Sequence, residues 1–155
     1  GHAFSLAAAL LTPRARGRLR LRSADPDAKP ELVGNHLSEP EDMASLVAAF
    51  KKLQEIGGSE PLASVRGRPL VPSEPVESDE EIEAFLRRET ELLYHPAGTC
   101  RMGGDEASVV DPELRVRGVE GLRVADASVM PVITGGNTNA PTIMIGEKAA
   151  DLIRG

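Results

Sequence analysis

Hydrophobic and polar positions in the first 90 residues predict two strands and two helices. The continuous apolar run 4–11 predicts a strand buried on both faces. Residues 18–22 alternate arginine and leucine, which predicts a half-buried strand with the leucines inward. Two segments, 38–41 and 78–81, match capping boxes. A helix is predicted after each, the first of them ending at the glycine pair 57–58.

The last third of the chain has a different pattern. Short alternating runs at 114–117 and 122–126 predict two short strands. A segment rich in glycine and asparagine follows at 134–139. Pro141 then marks the first turn of a closing helix, with apolar residues on its buried side at Ile145, Ala149 and Leu152. Mixed strands and helices of this kind predict an α+β fold.

Charge and composition restrict the classes of function. The net charge is −6 and there is no tryptophan, which disfavours binding to a nucleic-acid backbone or stacking on bases. The alternating arginines at 14–22 favour the solvent face of a strand, with a nucleic-acid patch as the weaker alternative. The single cysteine, Cys100, excludes an internal disulfide. The run 4–11 is too short to span a membrane and lacks a basic leader. We therefore expect a cytoplasmic protein with no membrane span and no nucleic-acid partner.

Few groups in the sequence are suited to catalysis. Three scattered histidines and one cysteine have no metal-ligand spacing, so no metal site is expected. The chain contains neither a Gly-x-Ser-x-Gly elbow nor a Gly-x-Gly-x-x-Gly dinucleotide motif. Cys100 is interpreted as a small, partly buried thiol.

Two residues, His95 and Asn139, remain as candidates. His95 precedes Pro96, which pushes its backbone toward extended geometry, and Gly98 allows the chain to turn closely around it. A neutral imidazole can accept a proton from a hydroxyl group, and an amide can donate a hydrogen bond to the oxygen. The local pattern leaves simpler alternatives open: His95 as an ordinary loop residue and Asn139 as a helix cap.

Three motifs together resemble a known family. They are His95-Pro96-Ala97-Gly98-Thr99-Cys100-Arg101-Met102-Gly103, Leu122-Arg123-Val124-Ala125-Asp126-Ala127-Ser128-Val129-Met130-Pro131, and Asn137-Thr138-Asn139-Ala140-Pro141-Thr142. They are similar to the carboxy-terminal domain of the glucose–methanol–choline (GMC) oxidoreductases, flavoproteins that oxidise alcohols with FAD. The similarity extends over essentially all 155 residues. It is greatest to the choline dehydrogenase and related alcohol dehydrogenase branch.

The resemblance implies roles for individual residues. His95 and Asn139 would be the catalytic pair, holding the alcohol oxygen while hydride passes to the flavin. The residues implied to contact FAD are Asp126, Ala127, Asn137, Thr138, Pro141 and Thr142. Residues 1–92 would form part of the substrate-domain sheet with its helices, and residues 93–155 the active-site and flavin-contacting part.

The resemblance also carries an expectation about the rest of the enzyme. Since family members contain a Gly-x-Gly-x-x-Gly unit, we expect this chain to be a carboxy-terminal piece without the amino-terminal FAD-binding domain. Alone it would be inactive and retain no FAD. Its partners would be that domain and a small alcohol, and its exposed interface could drive homo-oligomer formation. The alternative is a stand-alone, non-catalytic domain that binds a ligand or a partner chain.

Overall fold

The computed structural model describes residues 2–155 and has an α+β fold. Among these residues are two strands, β1 (Arg18–Arg20) and β2 (Glu31–Val33), which pair antiparallel. Three helices follow: α1 (Pro40–Gly58), α2 (Asp79–Glu89) and α3 (Asn139–Arg154). Short 3-10 helices lie at Glu60–Leu62 and Ala127–Val129. The predicted fold class is therefore confirmed.

The chain divides into two compact units. One contains residues 14–17 and 34–91 together with the segment that ends at Leu10. The other contains residues 11–13, 18–33 and 92–155, and therefore includes both His95 and Asn139.

Helices α1 and α2 pack against each other in the first unit. Their core is built from Met43 and Val47 of α1 and Ile82 of α2, with Phe50 and Leu86 packed against it. The rings of Phe50 and Phe85 lie 5.2 Å apart between centroids. Both helices were predicted from the sequence.

The two predicted capping boxes have different outcomes. The box at α2 is confirmed: Ser78 accepts a hydrogen bond from the backbone N–H of Glu81, whose carboxylate accepts one from the backbone N–H of Ser78. The box at α1 is wrong, because Glu39 occupies the N-cap position and no side chain caps this helix. Instead, the buried carboxylate of Asp42 in the first turn accepts the backbone N–H groups of residues 14 and 15 at 2.9–3.0 Å.

The prediction of a buried strand at 4–11 is wrong. These residues form no strand, and Phe4 and Leu11 are 46% and 51% exposed. A strand buried on both faces needs sheet neighbours and covering layers, whereas the sheet of the described residues has only β1 and β2. The strand predicted at 18–22 is present but shorter, at Arg18–Arg20. The prediction that its leucines face inward is wrong, because Leu19 in the strand is 47% exposed and Leu21 after it is 81% exposed.

The second unit is held together by a core beneath α3. The buried residues of this core are Val110, Leu114, Val129, Met130, Ile145 and Ala149, with Leu152 packed against them. The closing helix and its buried face are thus confirmed. The segments 114–117 and 122–126 were predicted as strands, but they contribute isolated bridges, Val110 to Val116 and Arg115 to Arg123. Each run is too short to continue a ladder after the turn between them.

Candidate functional site

The loop that carries His95 lies alongside the segment that follows the predicted strand at 122–126. Backbone N–H groups of residues 98, 100 and 102 donate to the carbonyl oxygens of residues 127, 128 and 129, over 3.4, 2.9 and 2.8 Å. This ladder joins the first two sequence motifs, which are about 30 residues apart in the chain. It gives the His95 loop a fixed backbone on one side.

Backbone conformation at two positions shapes the loop. Gly98 has φ +87°, and a Cβ atom added there would lie 3.3 Å from the carbonyl oxygen of Met130. Both features favour glycine over any residue with a Cβ atom. Tyr94, directly before His95, also has a positive φ of 60° although it is bulky, and its side chain is 89% exposed. Positive φ in such a residue is uncommon; Asn35, Leu37 and Leu114 share it.

The ring of His95 is held by the start of α3. Its Nδ1 atom lies 3.0 Å from the hydroxyl oxygen of Thr138, which is only 8% exposed. His95 is half-buried, and its other ring nitrogen, Nε2, has no hydrogen-bond partner among residues 2–155. The contact therefore fixes the ring and leaves one nitrogen available to a ligand.

The first turn of α3 places Asn139 next to this contact. Thr138 is the N-cap residue and Asn139 is the first helical residue, so the alternative of Asn139 as the cap is wrong. The Thr138 carbonyl accepts the backbone N–H of Thr142 at 3.0 Å and its hydroxyl at 2.6 Å. Within the described chain, the backbone N–H groups of Asn139 and Ala140 and the side chain of Asn139 have no hydrogen-bond partner.

The other residues expected at a cofactor lie around these elements. Asp126 is exposed, and its carboxylate accepts the backbone N–H of Ser128 at 2.7 Å, which starts the 3-10 helix. Ala127 is half-buried and its carbonyl belongs to the ladder. Asn137 is exposed, while Pro141 and Thr142 are half-buried in the first turn of α3. All of them belong to the same compact unit as His95.

An ion pair between Arg101 and Asp105 stabilises the end of the loop that follows His95. Arg101 makes two hydrogen bonds to the carboxylate of Asp105, at 2.9 and 2.6 Å. The hydrogen bonds from Arg101 lower the pKa of Asp105 from 3.8 to about 2, and the charge of Arg101 adds to this effect. Asp105 therefore stays ionised well into the acid range.

We also searched residues 2–155 for a metal site and a membrane-spanning helix. Residues 2–155 contain no group of three or more histidine, cysteine, aspartate or glutamate residues placed to bind a metal ion. No helix in this range is long and apolar enough to cross a membrane. Cys100 is a free, half-buried cysteine, as predicted.

Comparison with known proteins identifies the class to which the fold and this arrangement belong. The family described as GMC oxidoreductase matches residues 13–146, so the chain belongs to this family. This confirms the resemblance drawn from the three motifs. Two curated relatives are similar over 99% of the chain: an alcohol dehydrogenase [acceptor] of Pseudomonas putida, 48% identical, and an oxygen-dependent choline dehydrogenase of Sinorhizobium medicae, 49% identical.

Solved structures agree with the family assignment. The chain is similar to pyridoxine 4-oxidase from Mesorbium loti, with a TM-score of 0.86 and 33% identity over 93% of the chain. An FAD-dependent oxidoreductase from Chaetomium thermophilum matches with the same TM-score and 31% identity. The chain spans 28% of the length of both curated relatives and 28% and 25% of these two structures.

Proposed function

We propose that this chain supplies the catalytic segment of an FAD-dependent oxidoreductase that acts on the CH–OH group of alcohols. The observation that carries the proposal is the contact between His95 and Thr138, 3.0 Å long, which holds the imidazole at the amino end of α3 beside Asn139. Family membership supports the reaction class. The names of the relatives, an alcohol dehydrogenase and choline dehydrogenases, support an alcohol as substrate.

The hydrogen-bond donors at the start of α3 are suited to bind the flavin of FAD. The unpaired backbone N–H groups of Asn139 and Ala140 lie at the positive end of a 16-residue helix, which favours a ligand with partial negative charge. The hydroxyl oxygen of Thr134, in the preceding loop, is buried and has no hydrogen-bond partner among residues 2–155. We propose that the loop and helix start, with Asn137, Pro141 and Thr142, hold the flavin, and that Asp126 and Ala127 contact the cofactor from the adjoining segment.

In the proposed reaction, residues of this chain remove the hydroxyl proton of the alcohol. Nε2 of His95 accepts the hydroxyl proton, and the side-chain amide of Asn139 donates a hydrogen bond to the oxygen from which that proton leaves. The developing negative charge on oxygen favours release of hydride from the adjacent carbon, which leaves an aldehyde or ketone. Bound FAD supplies the two-electron acceptor for that hydride.

We also propose which class of alcohol is the substrate. Residues of this chain near His95 that could contact a substrate include Tyr94, whose ring is almost fully exposed. Since a single aromatic ring cannot form a cage around a quaternary ammonium group, selectivity for choline would depend on residues outside this chain. We therefore propose a small alcohol of the class oxidised by the choline and alcohol dehydrogenases as substrate.

Exposed apolar side chains support a partner surface on the second unit. Leu92, Leu93 and Tyr94 precede His95 and are 59–89% exposed, and Ile143 and Met144 on α3 are each 59% exposed. Because they flank the proposed site, we propose that the FAD-binding part of the same enzyme covers them. A homo-oligomer through this surface, a cytoplasmic location and the loss of FAD from the isolated chain remain predictions.

The test uses the intact enzyme, in which this chain accompanies the FAD-binding part. Choline and a series of primary alcohols are added without oxygen, and loss of flavin absorbance is followed. We expect at least one alcohol to reduce the flavin, and His95→Ala to slow reduction by about 10²–10⁴-fold while the flavin stays bound. His36→Ala, at an exposed histidine of the first unit, is the matched control. Equal reduction rates in wild type and His95→Ala would remove His95 from this role.

A further inference from the structure

The partner of His95 points to a role for Thr138 that the motif did not reveal. The family resemblance implies that Thr138 contacts the cofactor, and its hydroxyl oxygen lies 3.0 Å from Nδ1 of His95. No other side-chain hydrogen bond of Thr138 occurs among the described residues, and the N-cap bond that a threonine usually makes at this position is absent. The Thr138 hydroxyl therefore makes its side-chain hydrogen bond to His95.

We propose that Thr138 is a positioning residue that orients the ring of His95 and accepts a hydrogen bond from its Nδ1–H, an inference that rests on the proposed function. A hydroxyl oxygen can accept or donate a hydrogen bond, so the contact is compatible with either tautomer. A base that acts through Nε2 needs a lone pair on that atom, and Nδ1 must then carry the proton. In this arrangement Nδ1–H donates to Thr138, and the hydrogen bond on one ring nitrogen sets the state of the other.

Thr138 is well placed for this role because its backbone is held rigidly. Its carbonyl accepts two hydrogen bonds from Thr142, one from the backbone N–H and one from the hydroxyl. The residue is 8% exposed, so water cannot easily replace its hydroxyl as the partner of Nδ1. The first turn of α3 thus positions Thr138, and Thr138 positions the ring of His95.

Two substitutions separate the hydroxyl from the shape of the side chain. Thr138→Val keeps the branched shape and removes the hydroxyl, whereas Thr138→Ser keeps the hydroxyl. Thr90→Val makes the same chemical change at an exposed threonine that ends α2 and is the matched control. All are made in the intact enzyme.

The direct readout is the ¹⁵N chemical shifts of the His95 ring at a pH where the imidazole is neutral, in enzyme labelled with ¹⁵N-histidine. His95→Gln assigns the signal. We expect the Nδ1–H tautomer in wild type, Thr138→Ser and Thr90→Val, and a mixture of tautomers in Thr138→Val. We also expect kcat for Thr138→Val to fall about fivefold to tenfold, the size of one lost hydrogen bond, with little change in KM.

The outcomes distinguish this inference from the proposed function. The inference is overturned if wild type carries the proton on Nε2, or if Thr138→Val leaves the tautomer unchanged while the protein is folded. Failure of every alcohol to reduce the flavin would overturn the proposed function instead, and the tautomer measurement would still report on Thr138.

Discussion

Substituting Gly98 by alanine tests the positive φ of Gly98 and its close approach to Met130 in the backbone ladder beside His95. With φ at +87°, an alanine costs about 1–2 kcal/mol relative to glycine because its Cβ crowds the following carbonyl. The new Cβ would also lie 3.3 Å from the carbonyl oxygen of Met130, so the segment that carries Met130 must shift by a few tenths of an ångström. Together we expect a loss of about 2–3 kcal/mol in the free energy of unfolding, since overpacking costs about 1–3 kcal/mol.

Urea unfolding followed by circular dichroism measures this loss. With a slope of about 1–3 kcal/mol per molar urea, the midpoint should fall by roughly 1 M without a change in slope. Gly104→Ala is the control, because Gly104 lies in the same loop with no positive φ and no atom within 4 Å of an added Cβ. We expect its free energy of unfolding to stay within about 0.5 kcal/mol of wild type. Equal midpoints for the two variants would show that the φ of Gly98 and its contact with Met130 do not restrict this position.

Two further predictions concern charged groups. Asp42→Ala should lower the free energy of unfolding by about 1–3 kcal/mol, because the backbone N–H groups of residues 14 and 15 lose their buried, charged acceptor; Glu41→Ala at the exposed neighbouring position should change it little in the same urea titration. Since the folded pKa of Asp105 is lowered, its ion pair with Arg101 contributes stability above pH 3.8, and this contribution is lost as the pH falls toward about 2. An NMR titration of the Asp105 carboxyl should show a midpoint near 2 in wild type; Arg101→Gln should raise it, and an unchanged midpoint would contradict the assignment.

Local signals in the sequence predicted local structure well. The capping box at Ser78 was correct because all its bonds form within four residues. The apolar spacing of α3 predicted its buried face, since one helix needs only its own period to define that face. The prediction of a buried strand at 4–11 was wrong because hydrophobicity alone does not show whether neighbouring strands are present to bury the segment.

The candidate site was predicted in part. The motifs identified His95 and Asn139 as residues of interest, and the family resemblance supplied their proposed roles. The contact between His95 and Thr138 joins residues 43 positions apart and depends on how α3 begins. Nothing in the spacing distinguishes a threonine that contacts a cofactor from one that holds a histidine. Likewise, the positive φ of Tyr94 has no signature in the sequence.

The central claim is that His95 and Asn139 act on one alcohol oxygen. A crystal structure of the intact enzyme with FAD and an unreactive alcohol analogue tests it most directly. We expect the analogue's oxygen to lie about 3 Å from both His95 Nε2 and the side-chain nitrogen of Asn139, within hydrogen-bond distance. If the analogue binds at the flavin with its oxygen on other residues and these two side chains turn away from it, the shared role of His95 and Asn139 is wrong.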